Sequence, residues 1–154
     1  MKVLFLDIDG VLNSDSYDKV RGENEGNIDI TRMCLLKTII DKTGAQIVLS
    51  STWRKNWDRD FSKCNEKGKE IYEVFTSYGL EIFDKTPYLR NDSSERPKEI
   101  KMWLDSHRAA ENYAILDDHM WGWREMEEHL VRTSGKIGRG LMEKHVNEVI
   151  EILK

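Results

Sequence analysis

The sequence predicts one three-layer α/β/α domain built on a central five-stranded parallel sheet, and three observations lead there. Residues 2–6 (K-V-L-F-L), 45–49 (A-Q-I-V-L) and 113–116 (Y-A-I-L) are short, nearly continuous apolar runs, the pattern of strands buried on both faces. Each run stops abruptly at polar residues: Asp7-Ile8-Asp9, Ser50-Ser51 and Asp117-Asp118. Between the runs, apolar residues recur at spacings of three and four, the period of an amphipathic helix. Strands joined through helices are crossover connections, which make the sheet parallel and cover both of its faces. In such sheets ligands bind at the carboxyl ends of the strands. The polar residues that end the three runs therefore converge on one edge.

The elements follow in order. Strand one covers residues 2–6. Asp29 is placed to cap a helix carrying Ile30, Met33, Cys34, Leu36, Ile39 and Ile40, closed near Gly44. Strand two is 45–49. Ile71, Val74, Phe75 and Tyr78 mark a helix over 70–78 that ends at Gly79, followed by a weak third strand at 80–83. Residues 85–96 hold Pro87 and Asn-Asp-Ser-Ser and run up to Pro97, the composition of a loop. Ile100, Trp103 and Leu104 share a face of a helix over 98–107, and 113–116 is the fourth strand. A helical stretch at 123–128, a fifth strand at 129–133 and a C-terminal helix with Val146, Val149, Ile150 and Leu153 complete a Rossmann-like plan.

Composition narrows the function classes. The chain has 154 residues, which is one core's worth, so the expectation is a single domain over 1–154. No apolar run approaches the roughly 20 residues that span a bilayer, and acidic residues at positions 7 and 9 do not fit a signal peptide. Cys34 and Cys64 form no CxxC pair and read as reduced thiols, which with the missing leader predicts a cytoplasmic monomer. The net charge of −4 argues against a surface that binds nucleic acid throughout, although a local basic groove stays open.

Asp7, Asp9, Asp117 and Asp118 at one sheet edge would repel, since two like charges about 4 Å apart cost about 4 kcal/mol at an effective dielectric of 20. A cation must sit among them. All-oxygen donors without His or Cys select a hard ion, and Mg²⁺ fits best because it accepts a few carboxylates and keeps positions for a phosphate. The residues thus predict a magnesium site for phosphoryl transfer.

The segment D-I-D-G-V-L-N at 7–13, behind a hydrophobic strand, resembles the first motif of the haloacid dehalogenase (HAD) superfamily. The later motifs follow in order: Ser50 of V-L-S-S ending a second strand, a basic residue starting a later helix, and the acidic pair Asp117-Asp118 ending a further strand. The resemblance implies a Mg²⁺-dependent phosphatase working through an aspartyl-phosphate. Asp7 is then the nucleophile, and Asp9 the acid and base whose main-chain carbonyl also meets the metal. Ser50 or Ser51 binds the transferring phosphoryl group. Lys98 is preferred over Arg96 as the motif-three cation, on its 19-residue separation from Asp117. Asp118 is the first choice for direct ligation, with Asp7, Asp9 and Asp117 completing the metal set.

Further features touch substrate. Arg54, in S-S-T-W-R, is within reach of a substrate phosphate. Trp121 and Trp123 suit packing better than base stacking, His119 lacks partners for a zinc site, and the basic stretch 132–139 reads as a mobile loop. Members of the superfamily often carry a cap domain, but residues 14–28 make at most a flap and 53–96 are used by a helix and a strand. The pattern L-S-S-T-W-R, L-D-D and H-L-V-R-T resembles the small HAD domain of multidomain RNA-repair proteins. An open site and that resemblance make RNA or DNA 3′-phosphate ends the leading substrate class, ahead of small metabolites or nucleotides. A phosphoacceptor signalling module is the alternative of different class. It fits less well, because such modules lack an acidic residue at the position of Asp9 and carry their acidic pair on the first strand.

Overall fold

The computed structural model describes residues 1–90 and 92–154; Asn91, inside the expected loop 85–96, lies outside the described residues. The elements run β1 (Lys2–Leu6), α1 (Asp15–Val20), α2 (Ile30–Thr43), β2 (Gln46–Leu49), α3 (Glu66–Ser77), β3 (Ile82–Lys85), α4 (Arg96–Ser106), β4 (Asn112–Asp117), β5 (Leu130–Arg132) and α5 (Glu143–Ile152). Short 3₁₀ helices occupy Thr52–Lys55, Phe61–Lys63 and Arg124–His129. The five strands form one parallel sheet in the order β3-β2-β1-β4-β5.

The sheet's two faces explain its unbroken apolar strands. Leu4 and Leu6 point to one side, where α2, α3 and α5 deliver Met33, Leu36, Ile39, Ile71, Phe75, Val146 and Val149. Val3, Phe5, Val48 and Ile115 point to the other, against Ile100 and Trp103 of α4, with Trp123 and Met126 beside them. Trp103 meets Phe5 edge to face at 5.4 Å, the favoured arrangement of two aromatic rings. Burial on both faces removes the alternation that a one-sided sheet would show.

Most boundaries agree with the sequence reading, and the shifts have local causes. Asp29 caps α2 by accepting from Thr31 N, and Gly44 closes it as expected, yet Ile30 and Cys34 face solvent. β3 begins two residues later than expected because Gly79 N and Leu80 N still bond to Thr76 O and Phe75 O, finishing the turn of α3. The helix α4 starts at Arg96 instead of residue 98, with Pro97 in its first turn, where the missing N–H costs nothing. Residues 14–28 contain the short helix α1. No helix among the described residues is long and apolar enough to cross a membrane.

Register positions the site. Leu6 pairs with Leu49 on one side and Leu116 on the other, and the ladder continues for one residue, with Ser50 N bonding Leu6 O at 3.0 Å and Asp7 N bonding Leu116 O at 3.0 Å. Ser50, Asp7 and Asp117 therefore stand abreast on three adjacent strand ends. β1 lies where the strand order turns back, the usual position of a binding crevice in an open parallel sheet.

The segment 133–141 after β5 is stitched to the turn after β1 and is not the freely moving loop that its glycines suggest. Thr133 Oγ1 donates to Gly10 O at 2.6 Å, Asp15 N to Gly135 O at 2.8 Å, and Leu141 N to Val11 O at 2.8 Å. A Cβ on Gly135 would lie 2.6 Å from Gly10 Cα, closer than any real side chain sits. Gly135→Ala should therefore destabilise the fold by about 1 to 3 kcal/mol through overpacking, read as a lower midpoint in thermal or denaturant unfolding. An unchanged midpoint would mean that the two loops separate freely.

Candidate active site

After β1 the chain leaves the strand and turns, with Val11 N and Leu12 N both bonding Ile8 O. That turn separates Asp7 from Asp9, which would share a face had the strand continued. Asp7 is buried and Asp9 is exposed. Gly10, at φ +81°, permits the turn, and a Cβ there would meet Asp118 Oδ2 at 2.0 Å. Only glycine lets the backbone pass so close to that carboxylate.

Carboxylate oxygens of Asp7, Asp117 and Asp118 lie within 4.8 Å of one another. The positive residue among them is Arg96. Its Nη1 is 3.2 Å from Asp7 Oδ2 and 3.1 Å from Asp117 Oδ2, inside the protein. Asp117 is fully engaged, since its Oδ1 also accepts from His119 N at 2.8 Å. Asp118 shares a side-chain hydrogen bond with Asp7 but is less buried than Asp7 and Asp117, leaving its carboxylate the most available to an ion. One guanidinium against three carboxylates leaves excess negative charge, and the donors are all oxygen, so the cluster fits a hard divalent cation.

Burial pushes the Asp7 carboxyl well above the usual carboxylate range, the Asp117 carboxylate adds to the rise, and Arg96 opposes it. Asp118 is raised too, by burial first and then by Asp117. Burial and the neighbouring acids thus disfavour the ionised form of Asp7, and positive charge beside it favours that form.

Asp9 stands outside the cluster. Asn13 Nδ2 donates to its Oδ1 and Trp53 Nε1 to its Oδ2, each at 3.0 Å. Asn13 also accepts from Gly10 N and donates to Asn27 O, so the whole turn is clamped. Trp53 and Asn13 orient Asp9, and sequence reasoning gave neither a role. Their signal was position alone: Asn13 closes the D-I-D-G-V-L-N motif and Trp53 lies inside L-S-S-T-W-R.

The structure separates the paired candidates. Ser50 is fully buried and its Oγ has no hydrogen-bond partner, whereas Ser51 Oγ accepts from Trp53 N and caps the 3₁₀ turn. A buried hydroxyl without a partner is costly unless a ligand completes it. The cation next to the carboxylates is Arg96 and not Lys98, which is exposed. Two residues along a helix is more than half a turn, so the two side chains diverge.

Arg54 is committed to partners inside the protein. It is buried, donates to Ser50 O and Ser51 O at 3.3 and 2.8 Å, and pairs with Glu99 Oε2 at 2.6 Å. It is a strut joining the end of β2 to α4, one turn after Arg96. Trp123 is buried with Nε1 on His119 O, while Trp121 is exposed. His119 Nδ1 lies 3.2 Å from Ser93 Oγ.

The raised Asp7 and Asp118 have a measurable sign. A carboxyl whose folded pKa exceeds its unfolded value near 4 holds extra protons in the folded state, so its contribution favours folding at low pH and is lost as pH rises through the folded value. A divalent cation needs the ionised form and binds only the folded cluster. Millimolar Mg²⁺ should therefore raise the unfolding temperature more at pH 8 than at pH 5, measured by calorimetry. Equal shifts at both values would contradict these electrostatics.

No curated protein and no solved structure matches the chain significantly. The family model described as the HAD domain in Swiss Army Knife RNA repair proteins matches residues 3–146, which are nearly all of the sheet and every residue of the site, and the chain belongs to that family.

Proposed function

We propose that the protein is a Mg²⁺-dependent phosphohydrolase that passes through an aspartyl-phosphate on Asp7, with phosphorylated polynucleotide ends as its substrate class. The observation that carries this reading is the row of Ser50, Asp7 and Asp117 on adjacent strand ends, with a partnerless buried hydroxyl on one side of Asp7 and a buried guanidinium on the other. Asp7, Asp117 and Asp118, with the main-chain carbonyl of Asp9, would hold Mg²⁺, which offsets carboxylate repulsion and the charge of the phosphoryl oxygens.

In the first half-reaction an Asp7 carboxylate oxygen bonds to phosphorus while the bond from phosphorus to the leaving oxygen breaks. Asp9 delivers the proton that the leaving alkoxide needs. Ser50 Oγ and Arg96 bind phosphoryl oxygens. In the second half-reaction Asp9 takes a proton from water, the water oxygen bonds to phosphorus, and Asp7 leaves as a carboxylate with release of phosphate. The hydrogen bonds from Asn13 and Trp53 keep Asp9 aimed through both steps.

The family's RNA-repair description and an active site without a large insertion over it support a polynucleotide end as substrate, with a 3′-phosphate preferred over a 5′-phosphate. Two free cysteines suit a reducing, cytoplasmic setting.

Hydrolysis of an aryl phosphate tests the chemistry. Asp7→Asn should abolish turnover, and EDTA should do the same. Asp9→Asn should slow it by about 10² to 10⁴-fold, less for an aryl than for an alkyl leaving group. Trp53→Phe, which removes one charged hydrogen bond, should lower kcat by about tenfold or more with little change in KM. Undiminished activity in Asp7→Asn would overturn the mechanism.

A further inference from the structure

A groove with a volume of about 790 Å³ opens beside Asp118, between the segment after β4, the stitched segment after β5 and the start of α5. Its charge departs from that of the chain. The protein carries a net −4, yet among the described residues the only carboxylate lining the groove is Asp118, against Arg132, Lys136 and Lys144. None of these three cations pairs with a carboxylate among the described residues. They form a strip of cations without ion-pair partners next to a site proposed to receive a phosphate.

The groove's apolar content is equally uneven. Met120, Trp121, Ile137 and Met142 line it, four of the ten large apolar side chains exposed among the described residues. Trp121 is 72% exposed, which leaves an indole face open to solvent. Exposed apolar side chains gathered around one groove mark an interaction surface. An open aromatic face among free cations is the arrangement with which single-stranded nucleic acid is held, bases on the ring and phosphates on the charges.

The wall is fixed with respect to the catalytic turn. Thr133 Oγ1 on Gly10 O, Gly140 N on Ser134 O at 3.0 Å and Ile137 N on Ser134 Oγ at 3.2 Å hold the segment that presents Lys136 and Ile137. A strand gripped there is gripped in a set relation to Asp7.

We propose that this groove is the subsite for the single-stranded nucleotides that precede the terminal phosphate, with a base stacked on Trp121 and backbone phosphates held by Arg132, Lys136 and Lys144. The proposal rests on the phosphohydrolase reading for the position of the end, and it locates strand binding in a positive strip that the overall acidic charge conceals. A small sugar phosphate has neither a base for Trp121 nor a second phosphate for the cations.

The test separates binding from turnover. Binding of a short, dye-labelled, 3′-phosphorylated single strand to the Asp7→Asn protein is followed by anisotropy with Mg²⁺ present, and kcat/KM for the same strand and for an aryl phosphate is measured in otherwise wild-type protein. Trp121→Ala should weaken strand binding and lower strand kcat/KM by about 5 to 150-fold, the equivalent of stacking one base. Lys136→Ala/Lys144→Ala should weaken binding and flatten its salt dependence. Aryl phosphate turnover should stay within about twofold in both variants, which also shows that they are folded.

Wild-type strand binding in both variants overturns the groove, as does failure of the strand to bind while aryl phosphate is turned over; the phosphohydrolase reading survives either result. Groove-dependent binding without hydrolysis of any phosphate ester removes the phosphohydrolase reading and leaves the groove standing. Displacement of the strand by polyglutamate as readily as by unlabelled strand would mark an acidic-peptide site and overturn the proposal.

Discussion

Crowding of like charge at the carboxyl edge of the sheet is the constraint on which the rest of this protein depends. Three carboxylates share a space of 4.8 Å, two of them on residues buried from water. Arg96 meets part of that charge, and meets it only because α4 starts two residues early and points its first side chain inward. A buried guanidinium must itself be supported. The Arg54–Glu99 pair provides support from below, tying the carbonyls of Ser50 and Ser51 to the first turns of α4. Removing either partner of such a pair leaves a buried charge uncompensated. The strut therefore fixes the two groups that flank Asp7.

The scaffold suits this burden. A parallel sheet covered on both faces holds its strand ends rigidly, and the register puts Ser50, Asp7 and Asp117 in one row without any long side chain having to reach. The departure from regularity comes one residue later, where the turn at Gly10 sends Asp9 out of the cluster and lets Asp118 in. Backbone-to-backbone packing of Gly135 on Gly10 then joins that turn to the wall of the groove. The proposed catalytic and strand-binding surfaces are built on the same few residues of main chain.

Much of this was legible in the sequence because strand burial and carboxylate clustering leave strong local marks. The three central strands and the convergence of Asp7, Ser50, Asp117 and Asp118 follow from apolar runs that end in polar residues, and the cap at Asp29 follows from its place before a helical apolar stripe. Separation along the chain from Asp117 favours Lys98, but α4 starts at Arg96 with Pro97 in its first turn, and it is the Arg96 guanidinium that lies beside the carboxylates. The internal pairing of Arg54 was not legible, because only the fold brings Glu99 to it. Trp53 and Asn13 bear on Asp9 through single hydrogen bonds across the turn, which no periodicity encodes. Segment 133–141 looked mobile since glycine marks both flexible chain and close backbone contact, and here the second applies.

The most direct test of the account is the identity of the atom that receives the phosphoryl group. A substrate labelled in its phosphoryl group would be mixed with the protein and Mg²⁺, quenched in acid within the first turnover, and the digest mapped by mass spectrometry. The account predicts label on the peptide that contains Asp7, lost on treatment with base or hydroxylamine and absent in Asp7→Asn. Full turnover with no labelled peptide, or label on any other residue, would contradict it.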